Sequence, residues 1–251
     1  MQIRLALPSD LPAVRDRLRA VFGPQRAEHR MDPVSQLIKA VISARTYDEV
    51  AWAAFIRLRA AFPNWATLTL ADPAQIEPVI DPVTFAEDKA RRLPILIRVI
   101  ILKRGELNLD FLKDEPLDEA MEWLTRLPGV GVKAAAATLN FSTLARPVLT
   151  VDTHVQRVGG RLGLTPRGGD RTLAYDGLME QAPADWDADR FFELHWLLKA
   201  HGQSICSHFD PACDLCALRD ACPRIGVGRD QEGDVVAFRG PRTLPGEEAG
   251  I

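Results

Sequence analysis

The chain of 251 residues contains four cysteines, and all of them fall in one short stretch: Cys206, Cys213, Cys216 and Cys222, spaced C-x6-C-x2-C-x5-C. Four thiols so close together are placed to hold one inorganic centre. Disulfides are the weaker reading, because the N-terminal residues carry no signal-peptide pattern and a cytosol keeps thiols reduced. Zinc knuckles usually combine two C-x2-C pairs from separated loops. Here one pair is close and the other two cysteines flank it unequally, which suits the larger [4Fe–4S] cube. The spacing favours the cluster and leaves zinc open.

A second motif is Leu127-Pro128-Gly129-Val130-Gly131-Val132-Lys133. Leu117, Ala120, Met121, Leu124 and Leu127 precede it at helical spacing, and an alanine-rich helix former follows from Lys133 to Asn140. Helix, Gly-x-Gly turn, helix is a helix–hairpin–helix pattern. Gly129, Val130 and Gly131 present backbone N–H groups beside a helix start, a nest that binds phosphate without reading a base. The plain alternative is a tight turn with no ligand.

Lys133 stands at the start of the second helix. An amine attacks only when neutral, and the positive end of a helix dipole disfavours the ammonium form. Lys133 is therefore a candidate nucleophile, with a solvated lysine as the alternative. Downstream, Asp152 of Val151-Asp152-Thr153-His154 precedes a helix and reads as its N-cap. Helix N–H groups keep such a carboxylate ionised, able to stabilise a developing cation or take up a proton.

LPGVGVK, VDTH and the four-cysteine loop occur in this order, with His195-Trp196-Leu197-Leu198 and His201-Gly202 just before Cys206. Together they resemble endonuclease III, of the helix–hairpin–helix DNA glycosylase superfamily, over roughly residues 28–223. The resemblance implies that Lys133 is the Schiff-base lysine, Asp152 the essential aspartate and the four cysteines the [4Fe–4S] ligands. It implies a base-excision repair enzyme that removes oxidised pyrimidines and then cleaves the abasic strand. The partner would be double-stranded DNA with a damaged base or an abasic site, met by Gly129, Val130, Gly131 and His154 and bound by a monomer. Related adenine mismatch glycosylases usually lack the lysine and carry a further C-terminal domain; here Lys133 is present and about thirty residues follow Cys222.

The chain also departs from the family pattern. Ile42-Ser43-Ala44-Arg45-Thr46-Tyr47-Asp48 resembles a loop whose glutamine enters the gap left by the flipped base; Arg45 stands there instead, with different donors. Phe85 lies where the family has a wedge leucine, and an aromatic ring can stack there or serve the core. The stretch Ser207 to Ala212 holds no lysine or arginine, so phosphate contact from the cysteine loop is not expected. These departures keep three alternatives alive: a weakly active or non-enzymatic DNA-binding paralogue, an adenine-mismatch-type glycosylase, and a zinc-stapled helical interaction protein.

The formal net charge of −3 is unusual for a DNA binder, though distribution matters more than the sum. Acid gathers in the tail (Asp230, Glu232, Asp234, Glu247, Glu248). Bases gather at Lys89, Arg91, Arg92, Arg98, Lys103 and Arg104, a run that reads as a solvated helix face, and near the motifs at Arg146, Arg157, Arg161 and Arg167. No run is long and apolar enough for a membrane span, so a cytoplasmic, nucleoid-associated protein is expected.

The elements that must position these residues are nearly all helical: Asp10–Phe22, Pro33–Ser43, Tyr47–Phe62, Pro73–Val79, Phe85–Lys103, Leu117–Leu127, Lys133–Phe141, Thr153–Leu164, Asp170–Glu180 and Ala188–Gly202. Pro94 is expected to start or kink its helix. The fold class is all-α. The resemblance implies a six-helix barrel lobe over 26–147 and a cluster lobe from 1–25 and 148–223. The stretch 224–251 reads as an extended tail, in which Val235 to Phe238 could pack on the body.

Overall fold

A computed structural model describes residues 11–166 and 170–227; Arg167, Val235 and Phe238 lie outside them. The described residues are all-α. Their only sheet-like feature is an isolated bridge between Met31 and Ser142. No helix among them is long and apolar enough to cross a membrane.

The chain divides into two compact units. One takes Arg26–Val151 and Pro183–Glu193. It holds six helices: α2 (Pro33–Ile42), α3 (Asp48–Ala61), α4 (Pro73–Ile80), α5 (Ala86–Arg104), α6 (Leu117–Thr125) and α7 (Val132–Phe141). Their starts are written in the sequence. Asp32 caps α2 by accepting from the Ser35 N–H at 2.9 Å, with Pro33 in the first turn. Asp72 and Gln75 form a capping box at α4. Helix α2 packs against α7, α3 and α5, and α4 packs against α5 and α3. Ala135, Ala136 and Ala137 are buried on α7, where small side chains allow close approach.

Pro94 neither starts nor ends its helix. Helix α5 runs through it, and Pro94 is buried with Leu93, Leu96, Ile97 and Ile100. A proline in a helix interior costs about 3 kcal/mol. Burying each of those aliphatic side chains contributes about 1.5–3 kcal/mol, so the apolar stripe outweighs the proline.

The described residues of the other unit come from 11–25, Asp152–Ala182 and 194–227. They include α1 (Leu11–Phe22), α8 (Thr153–Leu162), α9 (Arg171–Glu180) and the second half of α10 (Ala188–Ser204). Phe22 of α1 meets the His201 ring of α10 edge-on, with centroids 6.2 Å apart. The expected borders lay at 25/26 and 147/148. The structure divides the chain at 25/26 and 151/152, and groups Pro183–Glu193 with the six helices.

Asn140 explains that last grouping. It is fully buried, and its Nδ2 donates to the carbonyls of Arg146 and Ala188, both at 2.9 Å. Arg30 donates to the Asn140 carbonyl and to Asp189. One amide thus ties α7 to the start of α10. Asn140→Ala removes the donor to two carbonyls and should lower the unfolding free energy by about 2–4 kcal/mol. Urea titration checks this; a loss below about 0.5 kcal/mol would show that the tie is dispensable.

Candidate functional site

The hairpin follows from how α6 stops and α7 starts. The Leu127 N–H bonds to the Leu124 carbonyl at 3.0 Å, and Val130 N–H to Leu127 at 3.2 Å. Gly129 then turns with φ +80°, and a Cβ there would meet the Arg92 side chain at 3.3 Å. The positive φ favours glycine, and any larger residue would also have to displace the Arg92 side chain slightly. Val130 is buried and its N–H is already used, so it anchors the turn and offers no free donor. Gly131 is the exposed N-cap residue of α7 and supplies no side-chain cap. No bond from the Gly129 or Gly131 N–H is found among the described residues. The first turn of α7 holds no acid, and the half-buried Lys133 lies in it. An uncapped helix start leaves donors for an anion.

Helix α8 starts in the opposite way. Asp152 accepts from the His154 and Val155 N–H groups, both at 2.8 Å. It is buried, which by itself would raise its pKa. The attraction of His195, the Val155 N–H, Lys199 and His154 outweighs burial and holds the carboxyl below its ordinary 3.8. Asp152 is therefore ionised at neutral pH. The partly buried His154 places its Nδ1 3.1 Å from the Arg157 guanidinium. A Cβ on Gly202 would come within 2.9 Å of the His154 Cβ, so the lack of a side chain at Gly202 allows α8 to approach α10 there.

Arg157 and Arg161, one turn apart on α8, bind the cysteine loop. Arg157 donates to the carbonyls of Cys206 at 3.0 Å and Gly202 at 2.6 Å. Arg161 is buried and donates to the Cys206 sulfur at 3.1 Å, the Ser207 carbonyl at 2.6 Å and the His208 carbonyl at 2.7 Å. The four cysteines are free thiols, and all of them line one pocket that opens to solvent. His201 and Leu218 share its wall. Burial pushes the Cys216 and Cys222 thiols up, and it pushes His201 down to about 4 with help from Arg157. Among the described residues no three or more His, Cys, Asp or Glu converge closely enough to hold a single metal ion.

Arg45 and Phe85 are forty residues apart in sequence, and the structure brings them together. Arg45 lies at φ +56° and Phe85 at φ +59°, and the guanidinium stands 5.8 Å from the ring centroid. Phe85 is exposed, so it is not a core residue. Left-handed backbone at two non-glycine residues costs of order 1–3 kcal/mol each and persists only where neighbours impose it.

A buried cation beside the Arg45 loop was missed in the sequence. Lys89 does not belong to a solvated face: it is 5% exposed. Its ammonium donates to the carbonyls of Ile42 at 2.6 Å and Ala44 at 2.7 Å and to the Thr46 hydroxyl at 3.1 Å. Burial, then the charge of Lys133, lower its pKa to about 8, against an opposing pull from Asp88. The signal was present, since Lys89, Leu93, Leu96, Ile97 and Ile100 share one helical stripe. Arg91 and Arg92 do sit on the exposed side, paired with Glu87 and Asp88 one turn back.

A family model described as HhH-GPD superfamily base excision DNA repair protein matches residues 38–180. Endonuclease III of Synechocystis sp. is 31% identical over 192 residues, covering 76% of this chain and 81% of that protein. The chain belongs to the endonuclease III family of the HhH-GPD superfamily. Endonuclease III-like protein 1 of Gallus gallus is 29% identical over 188 residues, which cover 74% of this chain but only 62% of that longer protein. The structure of a trapped endonuclease III–DNA covalent intermediate superposes with a TM-score of 0.70 at 23% identity, covering 85% of this chain and 94% of that one.

In this endonuclease III relative the matched motifs fall in both units. The hairpin, Lys133, Arg45 and Phe85 belong to the six-helix unit; Asp152, His154 and the cysteines belong to the other. The cap at Asp152 separates charge from hydrogen bonding. Asp152→Asn keeps an acceptor and should cost less than about 1 kcal/mol, whereas Asp152→Ala should cost about 1–2 kcal/mol. Because the folded pKa is depressed, the charge-dependent part is present above 3.8 and is lost as pH falls through the lower, folded value. The stability margin of parent over Asp152→Asn should therefore narrow only in acid below 3.8, as denaturant titration across pH would show.

Proposed function

We propose that this protein is a bifunctional DNA glycosylase and abasic-site lyase that removes oxidised pyrimidines. The observation that carries the reading is Lys133 in the first turn of a helix whose start has no side-chain cap, directly after the LPGVG turn. The N–H groups of Gly129 and Gly131 hold the DNA phosphate. Arg45 and Phe85 occupy the space of an extruded base. The neutral Lys133 amine attacks the sugar C1′, and the N-glycosidic bond breaks with its electron pair leaving on the base. The ionised Asp152 stabilises positive charge developing on the sugar. The adduct nitrogen gives up a proton, O4′ takes up a proton and leaves C1′ with the C–O electron pair as the C1′=N iminium forms, the 2′ carbon then loses a proton, and the 3′ phosphate departs with its C–O electron pair. Water then releases Lys133.

Lys89 is a poor rival nucleophile despite its lowered pKa. Its ammonium is buried and held by two carbonyls and a hydroxyl. A family relative whose structure is described as a trapped covalent intermediate with DNA supports covalent chemistry in the present chain.

Cys206, Cys213, Cys216 and Cys222 would hold a [4Fe–4S] cluster. The support is a single pocket lined by all four cysteines, with the Arg161 guanidinium against the Cys206 sulfur. When bound, the cluster supplies four sulfur-to-iron bonds that cross-link the loop and a centre able to change oxidation state. Arg157 and Arg161 hold the loop carbonyls in place for it. The protein should be brown and contain about four irons per chain, and Cys213→Ser should lose iron. Stoichiometric zinc in a colourless anaerobic preparation would contradict this.

A panel of duplexes carrying thymine glycol, dihydrouracil or an abasic site tests the chemistry. The parent should incise all of them. Lys133→Gln should lose strand incision by at least about 10³-fold while keeping duplex affinity, since the hairpin glycines remain. Asp152→Asn should slow base loss by about 10²-fold or more with the fold intact. A parent that binds every duplex and incises none would establish the second reading, a non-enzymatic DNA-binding paralogue. The arginine in place of the family's glutamine at position 45 is what favours that alternative.

A further inference from the structure

Two strained loop tips, one on each side of a buried cation, call for an explanation that the chemistry above does not provide. The carbonyls of Ile42 and Ala44, at and just past the end of α2, both accept from the Lys89 ammonium. The Thr46 hydroxyl sits between the loops, accepting from Lys89 at 3.1 Å and from the Thr84 N–H at 3.1 Å. Arg45 is flanked by Ala44 and Thr46, and Phe85 directly follows Thr84. Lys89 lies in the first turn of α5, which Phe85 opens, so it is anchored to the second loop through its own helix. One ammonium therefore reaches both sides of the residue at position 45 and joins them to the loop that ends in Phe85.

We propose that Lys89 is a positioning residue for base extrusion: through Ile42, Ala44 and Thr46 it clamps the two loop tips so that Arg45 and Phe85 enter the duplex as a fixed pair. The proposal rests on the reading of the protein as a base-flipping enzyme. Burying a lysine among carbonyls is expensive unless each donor is used, and here three acceptors are supplied. The same three bonds hold Arg45 and Phe85 in left-handed backbone, a conformation that free loops of these residues leave. The pair matters because extrusion leaves one gap, and two side chains on independent loops would be ordered only at the moment of insertion. Fixing them beforehand removes that entropy cost from the flipping step.

The test needs one readout without DNA and one with it. Trypsin cuts after arginine, and cutting after Arg45 requires the loop to leave its place. In the free protein, Lys89→Met should speed cleavage after Arg45 by about tenfold or more, with other sites unchanged. On thymine glycol duplex, the same variant should lose about 30-fold in base excision while keeping its affinity for intact duplex within about twofold. Arg45→Ala with Phe85→Ala should lose a similar amount. Adding Lys89→Met to that double variant should cost less than about twofold more, because the clamp then has nothing left to present.

Thr46→Val, which keeps shape and charge and removes only the shared hydroxyl, should show both effects at about threefold, so the proposal stands or falls even if Lys89→Met does not fold. Parental cleavage after Arg45 and parental excision in the clamp variants would overturn it. So would losses that multiply in the combined variant, since that is the signature of a general structural role. If the parent itself excises nothing, the repair reading fails, while the trypsin result still decides whether Lys89 clamps the loop.

Discussion

Every helix start leaves N–H groups that the helix cannot satisfy, and two consecutive helices of this chain treat that constraint in opposite ways. Helix α8 fills it from within: Asp152 accepts two of the N–H groups, and in doing so stays ionised although buried. Helix α7 leaves it open: Gly131 has no side chain to offer and the first turn holds no acid. The first arrangement fixes a negative charge at a defined point. The second leaves a place for an anion from outside, beside the half-buried Lys133. Neither feature survives if the caps are exchanged.

The distribution of charge explains why a formal net charge of −3 is a poor guide to partners. Several cations are committed inside the protein. Arg146 donates to the carbonyls of Leu112, Lys113 and Glu115, closing the stretch before α6 rather than meeting a ligand. Arg157 and Arg161 serve the cysteine loop, and Lys89 serves the Arg45 loop. Exposed arginines on α5 and just past α6 are paired with acids one turn back, contacts that contribute little to stability and are readily exchanged for phosphate.

Much of this was legible in sequence because the informative residues are local. Helix starts at Asp32, Asp72 and Asp152 are announced by a side chain within three positions of the N–H groups it accepts, and the elements they open lie where periodicity puts them. The cysteine spacing and the LPGVG turn are likewise contiguous. What was not legible depends on tertiary packing. Pro94 stays within α5 because the surrounding stripe is buried. Lys89 looked like one of a basic run, and its surroundings emerge only when Ile42 and Ala44, 47 and 45 residues earlier, supply the carbonyls. The grouping of Pro183–Glu193 with the six helices depends on long-range contacts: the Asn140 amide, whose partners are six and 48 residues away, the Arg30–Asp189 pair and the Phe141–Phe192 ring contact.

The central claim is that one particular amine bonds to the sugar. Borohydride reduction of the protein on an abasic duplex, followed by nuclease digestion and peptide mapping by mass spectrometry, locates that bond. A single deoxyribose-derived adduct on Lys133, with Lys89 unmodified, is the expected result. An adduct on Lys89 or on any other amine, or none on a protein that still cuts the duplex, would contradict it.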